Sequence, residues 1–178
     1  VLLVSGSQKK KTLDSLSTLS FLRDNPLFDK SNFSIGVAFN PYLHSHLFDE
    51  EIDRLIKKLN SGIVKSIWIQ FGTDCTLLHK RIEILKDILN SSVNSNSEKS
   101  NIAIFGSILI PSKQFLARFK YRPWKGVYCS SEFLESVDFG INLIREILGI
   151  YKRNKICPII ETSILTSDQL NILKVILD

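Results

Sequence analysis

The chain has 178 residues, 44% hydrophobic and 23% charged, the proportions of one globular domain with a sizeable core. No apolar run approaches the roughly 20 residues that span a bilayer, and the dispersed lysines and arginines behind a net charge of +5 accompany no nucleic-acid-binding motif. Cys75, Cys129 and Cys157 lie far apart without a C-x-x-C pair, which argues against a disulfide framework or a zinc knuckle and points to a reduced, cytoplasmic setting.

Val1-Leu2-Leu3-Val4 reads as a buried strand feeding the loop Ser5-Gly6-Ser7. Its lysines follow the apolar run, the reverse of a secretory signal, so the chain is expected to begin inside a longer protein. Leu13, Leu16, Leu19 and Phe21/Leu22 recur at near-helical spacing over 12–23, and Asn25-Pro26 stops that helix. A second strand is expected over 33–39, closed by Asn40-Pro41. Asp49 is expected to cap the next helix, which presents Ile52, Leu55, Ile56 and Leu59 on one face and ends at Asn60-Ser61-Gly62. The third strand spans 66–71, and the third helix spans 75–89 with Leu78, Ile82, Leu85 and Leu89 inward. The polar stretch 90–101 reads as a flexible surface loop. A fourth strand and its exit loop occupy 102–110, Pro111-Ser112 opens a short helix to about 120, and 126–129 adds an extended piece. One long helix is expected over 131–151, with Phe133, Val137, Ile141, Ile144, Ile147 and Leu148 on its buried side. A fifth strand over 156–160 and a closing helix over 167–177 complete the chain.

Strands apolar on both faces, each followed by a helix, imply parallel strands under helices, in a barrel or a doubly wound sheet. No G-x-G-x-x-G follows a strand, which weighs against dinucleotide-binding topology. Polar Ser5/Ser7, Asn40, Gln70, Ser107 and Glu161 sit at the strands' C-terminal ends, which a barrel gathers at one mouth. The expected fold is therefore α/β: one domain made of about five βα units, the C-terminal part of a TIM (β/α)8 barrel.

Three constellations carry candidate chemistry. In Asn40-Pro41-Tyr42-Leu43-His44-Ser45-His46, the H-x-H pair has metal-ligand character, yet His79 is the only other histidine and lies in a helix. A His44 that packs on or hydrogen-bonds to an organic ligand is the better reading. Gln70, ending a buried strand before Phe71-Gly72, offers an amide suited to a heterocycle edge; its alternative role is to satisfy loop backbone. Pro111-Ser112-Lys113-Gln114 opens a helix whose amides and Lys113 suit an anion, with Ser112 as an ordinary N-cap the alternative.

The order of these segments resembles the later part of the methylenetetrahydrofolate reductase family, flavin-dependent (β/α)8 barrels. The segments are Val4-Ser5-Gly6-Ser7, Val37-Ala38-Phe39-Asn40-Pro41-Tyr42-Leu43-His44, Lys57-Lys58-Leu59-Asn60-Ser61-Gly62, Ile69-Gln70-Phe71 and Gly106-Ser107-Ile108-Leu109-Ile110-Pro111. They match, in order, an R-G-D-like turn, V-A-x-x-P-x-x-H, basic-K-x-x-x-G, a strand ending in T-Q, and P-G-I-x-P. The resemblance implies that Val37, Ala38, Phe39, Asn40 and His44 line an FAD site, with Lys57 and Lys58 near its phosphates. It places Gln70, and less directly Gln114, against a folate. The implied reaction is reduction of 5,10-methylenetetrahydrofolate to 5-methyltetrahydrofolate by NAD(P)H through FAD, a step of one-carbon metabolism that serves methionine biosynthesis. A homo-oligomer is compatible with it, and neither nucleic acid nor membrane is an expected partner.

The departures are specific. The family's catalytic aspartate aligns with Ser7 and its neighbouring arginine with Ser5, and the last strand is followed by Glu161-Thr162-Ser163-Ile164, without the family's arginine. Arg118, Arg122 or Lys125 would then meet the anionic glutamate tail of folate. Loss of the aspartate and arginine supports an alternative: a flavin- or folate-binding barrel that acts as a regulatory or partner subunit.

Overall fold

The structure, a computed structural model, describes residues 1–4, 14–28, 32–93, 102–162, 164 and 166–177. Ser5 and Ser7 lie outside the described residues. Strands β1 (Leu2–Leu3), β2 (Ile35–Phe39), β3 (Val64–Ile69), β4 (Ala103–Ile108) and β5 (Cys157–Ile160) form one parallel sheet in that same spatial order. Because chain order and spatial order coincide, the sheet has no point where strand order reverses, as a doubly wound sheet requires. β1 and β5 are its open edges.

Helices α1 (Ser15–Asp24), α2 (Ser45–Leu59), α3 (Cys75–Val93), α4 (Lys113–Tyr121), α5 (Ser131–Glu135), α6 (Val137–Arg153) and α7 (Ser167–Leu177) supply the second layer. The register pairs Val37 with Ile67 and Phe39 with Ile69, so these side chains share a face with Ile35. They join Leu19 of α1, Leu55 and Leu59 of α2, Leu78, Ile82 and Leu85 of α3, and Ile144 and Ile147 of α6 in a single core. Consecutive neighbours joined by right-handed crossovers put their helices on one side, which accounts for this arrangement. The opposite face carries Gly36, Ala38, Ser66, Trp68, Ala103, Phe105 and Ser107, with Ala103 exposed and Trp68 and Phe105 half-buried.

Several element boundaries differ from the sequence expectation, each for a local reason. α2 starts at Ser45, after an extended His44, and Asp49 lies inside the helix instead of capping it. Phe48 explains the earlier start, because its ring is buried 6.1 Å from that of Phe39 and draws the first turn onto the sheet. The long helix expected over 131–151 is two helices. Ser136 is extended (φ −151, ψ 167) and its Oγ accepts from the Phe139 N–H, while Ser130 Oγ accepts from that of Phe133. Each serine offers the backbone an alternative to continued helix. α3 runs on through Asn90–Val93, with Ser91 Oγ donating to the Asp87 carbonyl, so the first part of the expected loop is helical.

Asp14 caps α1, its Oδ1 accepting from Leu16 N–H at 2.8 Å and Ser17 N–H at 3.1 Å. The backbone bonds from Ser17 and Leu16 hold its carboxyl below the usual carboxylate range. A depressed folded pKa adds stability above the unfolded value, and that stability is lost as pH falls through the folded one. Asp14→Ala is therefore expected to cost about 1 kcal/mol at pH 7. The gap between the two melting temperatures should shrink as the solution is acidified below pH 4; a constant gap would contradict the assignment.

Candidate functional site

The face of the sheet opposite the core, with Ala38, Trp68 and Phe105 half-buried, is built in layers. Ala38, Trp68 and Phe105 are register partners, and the Trp68 and Phe105 rings lie 4.9 Å apart. Trp68 Nε1 donates to Ser66 Oγ at 3.1 Å. A Cβ on Gly36 would sit 2.7 Å from both of those atoms, so only glycine leaves room for the indole there. Continuing the register by one inward-facing position puts Asn40, Gln70 and Ser107 side by side above this aromatic floor. The Gln70 N–H still donates to the Phe39 carbonyl at 2.8 Å, so the ladder persists to that level.

The polar layer is partly committed to its own loops. The Asn40 N–H donates to Glu51 Oε1, its Nδ2 donates to the Gly126 carbonyl, and its Oδ1 accepts from the Tyr42 N–H, at 3.0, 2.9 and 3.0 Å. Gln70 Oε1 accepts from the Phe71 N–H at 3.0 Å, while its amide nitrogen has no partner among the described residues. Half of the backbone-satisfying alternative therefore holds for Gln70, and the donor end remains available. Ser107 Oγ, buried, donates to Glu161 Oε1 at 2.8 Å, which fixes an exposed carboxylate at the ends of β4 and β5.

Three loops are locked together above the strands. Arg81 of α3 donates to the carbonyls of Pro41 and Leu43, and its guanidinium lies 3.7 Å from the Phe48 ring centroid. The Tyr42 ring occupies the space a Cβ on Gly72 would need, 2.6 Å from the Tyr42 Cγ, and stacks on Tyr128. The Thr73 N–H donates to the Tyr128 carbonyl, and Thr73 Oγ1 accepts from the Ser130 N–H. This bridge is the extended piece expected over 126–129. Burial pushes the Cys129 thiol up to about 12. Burial and then the Glu146 carboxylate do the same for Cys75, also to about 12.

Of the residues expected to line an FAD site, Ala38 and Asn40 lie on the face opposite the core, whereas Val37 and Phe39 are fully buried in the core. His44 is exposed at the N-cap position of α2 and makes no side-chain cap bond. Adjacent helical residues point about 100° apart, and Lys57 and Lys58 diverge accordingly. Lys57 borders a groove of about 180 Å³ between α1 and α2 with Leu16, Leu19 and Arg23. Lys58 is buried, its Nζ donating to the Ala38 carbonyl at 3.1 Å, and burial lowers its pKa. Gln114 belongs to a separate cavity of about 850 Å³, shared with Lys113, Lys120, Asp138, Asp168 and Gln169. It is not brought beside Gln70. Ser112 caps α4 through the Phe115 N–H, the ordinary reading of that serine. Arg118, Arg122 and Lys125 are exposed. Ser7 lies outside the described residues, and among those described no group of three or more His, Cys, Asp or Glu gathers to hold a metal.

Arg81, Glu51 and the Trp68–Phe105 floor escape a reading of the sequence by motif. Arg81 carried a signal nonetheless, standing three residues after Leu78 and four before Leu85 on the inward stripe of α3. No helix among the described residues is long and apolar enough to cross a membrane. The chain matches no family model and no curated protein.

Proposed function

We propose that this chain forms the C-terminal five βα units of a (β/α)8 barrel, and that the whole barrel is a cytoplasmic flavoenzyme of the methylenetetrahydrofolate reductase type. The observation that carries the reading is a sequentially ordered parallel sheet whose face opposite the core, the concave one in a closed barrel, carries a polar layer over an aromatic one. Sequential order and one-sided helices suit barrel closure, and the stacked layers suit a flat heterocycle with a polar edge.

Bound FAD would supply the redox chemistry, carrying reducing equivalents from NAD(P)H to 5,10-methylenetetrahydrofolate. The chain's own residues bind and orient. Ala38, small and on the concave face, leaves space above the strand, and Trp68 with Phe105 excludes water from beneath the ligands. Gln70 is held through its Oε1 by the Phe71 N–H, which leaves its amide donor for a folate heterocycle. Ser107 donates its hydroxyl to the Glu161 carboxylate and so holds that carboxylate at the mouth. Lys58, drawn to the Ala38 carbonyl, supplies positive charge close to the cofactor-lining strand, with Lys57 serving apart from it.

The purified full-length protein is expected to show a flavin absorbance band that bleaches with NAD(P)H and recovers with methylenetetrahydrofolate. Gln70→Leu should lower kcat/KM for the folate about 10- to 100-fold, the loss of ~1–3 kcal/mol of hydrogen bonding. A flavin band that never bleaches would favour the regulatory or partner subunit, for which the commitment of Asn40 to Glu51, Tyr42 and Gly126 already speaks. A protein that takes up no flavin when incubated with FAD would exclude both.

A further inference from the structure

The loop between β2 and α2 holds Asn40 at its start and His44 at its end. Neither a turn glycine nor a helix-capping side chain secures it, since His44 makes no side-chain cap bond. Its carbonyls are instead gathered by a cation from the next βα unit. Arg81 is only 6% exposed, and its Nη1 donates to both the Pro41 and Leu43 carbonyls. No carboxylate forms an ion pair with it among the described residues, and Asp74 and Asp49 act on it only at longer range. Its charge is met by two backbone dipoles and by the face of Phe48.

A buried guanidinium committed to two carbonyls of one loop is a costly way to stabilise a fold, because desolvation disfavours the cation. What it provides is a planar, stacked donor: two N–H bonds from one nitrogen meet both carbonyls while the guanidinium lies over the Phe48 ring, an arrangement that a flexible, strongly hydrated ammonium does not hold. We propose that Arg81 is the positioning residue that fixes the β2–α2 loop, and through it Asn40 and His44, the two loop residues that the flavin reading uses. Tyr42 is the second anchor, seated over Gly72 and stacked on Tyr128 with 6.4 Å between ring centroids. Together the two anchors preset the loop from the side of α3 and the Tyr128 segment.

The role of those two residues rests on the proposed flavin reading, but the positioning by Arg81 does not, and the test separates them. Arg81→Met and Arg81→Lys would be made in the full-length protein and compared with wild type by amide hydrogen exchange and by titration with FAD. Both variants should retain sheet and α3 protection while exchange at the 42–46 amides rises tenfold or more in Arg81→Met and less in Arg81→Lys. FAD affinity should fall at least tenfold in Arg81→Met, with partial recovery in Arg81→Lys and a shift in the bound flavin's visible spectrum. If Arg81→Met does not fold, Arg81→Lys decides alone, since the loss of the planar group over Phe48 should still loosen 42–46. Unchanged exchange at 42–46 in a folded variant would overturn the proposal. So would a flavin affinity and spectrum equal to those of a flavin-binding wild type. Faster loop exchange in a protein that never binds flavin would uphold Arg81 as the loop's anchor and reject the flavin reading.

Discussion

Phe133→Ala is expected to lower the unfolding free energy by about 3–5 kcal/mol, the largest single loss predicted for this chain. The side chain is fully buried, and its ring packs 5.7 Å from that of Phe71 and 6.2 Å from that of Phe115. α5, which carries it, is only five residues long, so this ring is its main buried anchor beside Leu134 and the Ser130–Thr73 hydrogen bond. Truncation leaves a void that the aromatic neighbours close only in part, adding a cavity cost to the lost burial. Phe71 directly follows Gln70, whose side-chain Oε1 accepts from the Phe71 N–H, so the void should also loosen that side-chain amide. Urea denaturation should show a lower midpoint with an unchanged slope. A loss below about 1 kcal/mol would mean that the cluster does not carry the packing assigned to it.

Gly106→Ala should be the next most damaging substitution, at about 1–3 kcal/mol, although alanine is usually welcome in a buried sheet. A Cβ there would be driven into the Tyr151 ring, within 2.8 Å of its hydroxyl. Tyr151 is fully buried and its hydroxyl donates to the Ser107 carbonyl at 3.4 Å, so it has nowhere to retreat. The same burial, with the Glu161 charge behind it, raises the phenol's pKa, which keeps the hydroxyl protonated as a donor. Truncating the ring should rescue the strand: Gly106→Ala with Tyr151→Leu should be less unstable than the two single losses summed. Strict additivity in that double-mutant cycle would show that the clash is not the cause.

Much of the architecture was legible without coordinates because it rests on local patterns. The apolar stripe Leu78, Ile82, Leu85 follows from helical periodicity, and the short apolar runs around Val37 and Ile67 mark strands; these residues are buried. The start of α4 behind Ser112 and the span of α7 were set by capping and turn chemistry of the kind that reads directly from neighbours in sequence. The split at Ser136 was not, because a serine inside a regular apolar stripe is tolerated or breaks the helix according to what Phe133 must reach.

The site divides the same way. Sequence by itself determined that Asn40, Gln70 and Ser107 end successive parallel strands, since strand periodicity and the following helices leave them no other place. Only the tertiary structure decided which neighbours face the same way. Register set Ala38 and Asn40 apart from Val37 and Phe39, and helix rotation sent Lys57 and Lys58 in different directions. It also brought Arg81 across from α3 to the carbonyls of Pro41 and Leu43, a contact spanning 40 and 38 residues. Such contacts depend on strand register and crossover hand, properties of the folded sheet that no stretch of neighbouring residues encodes.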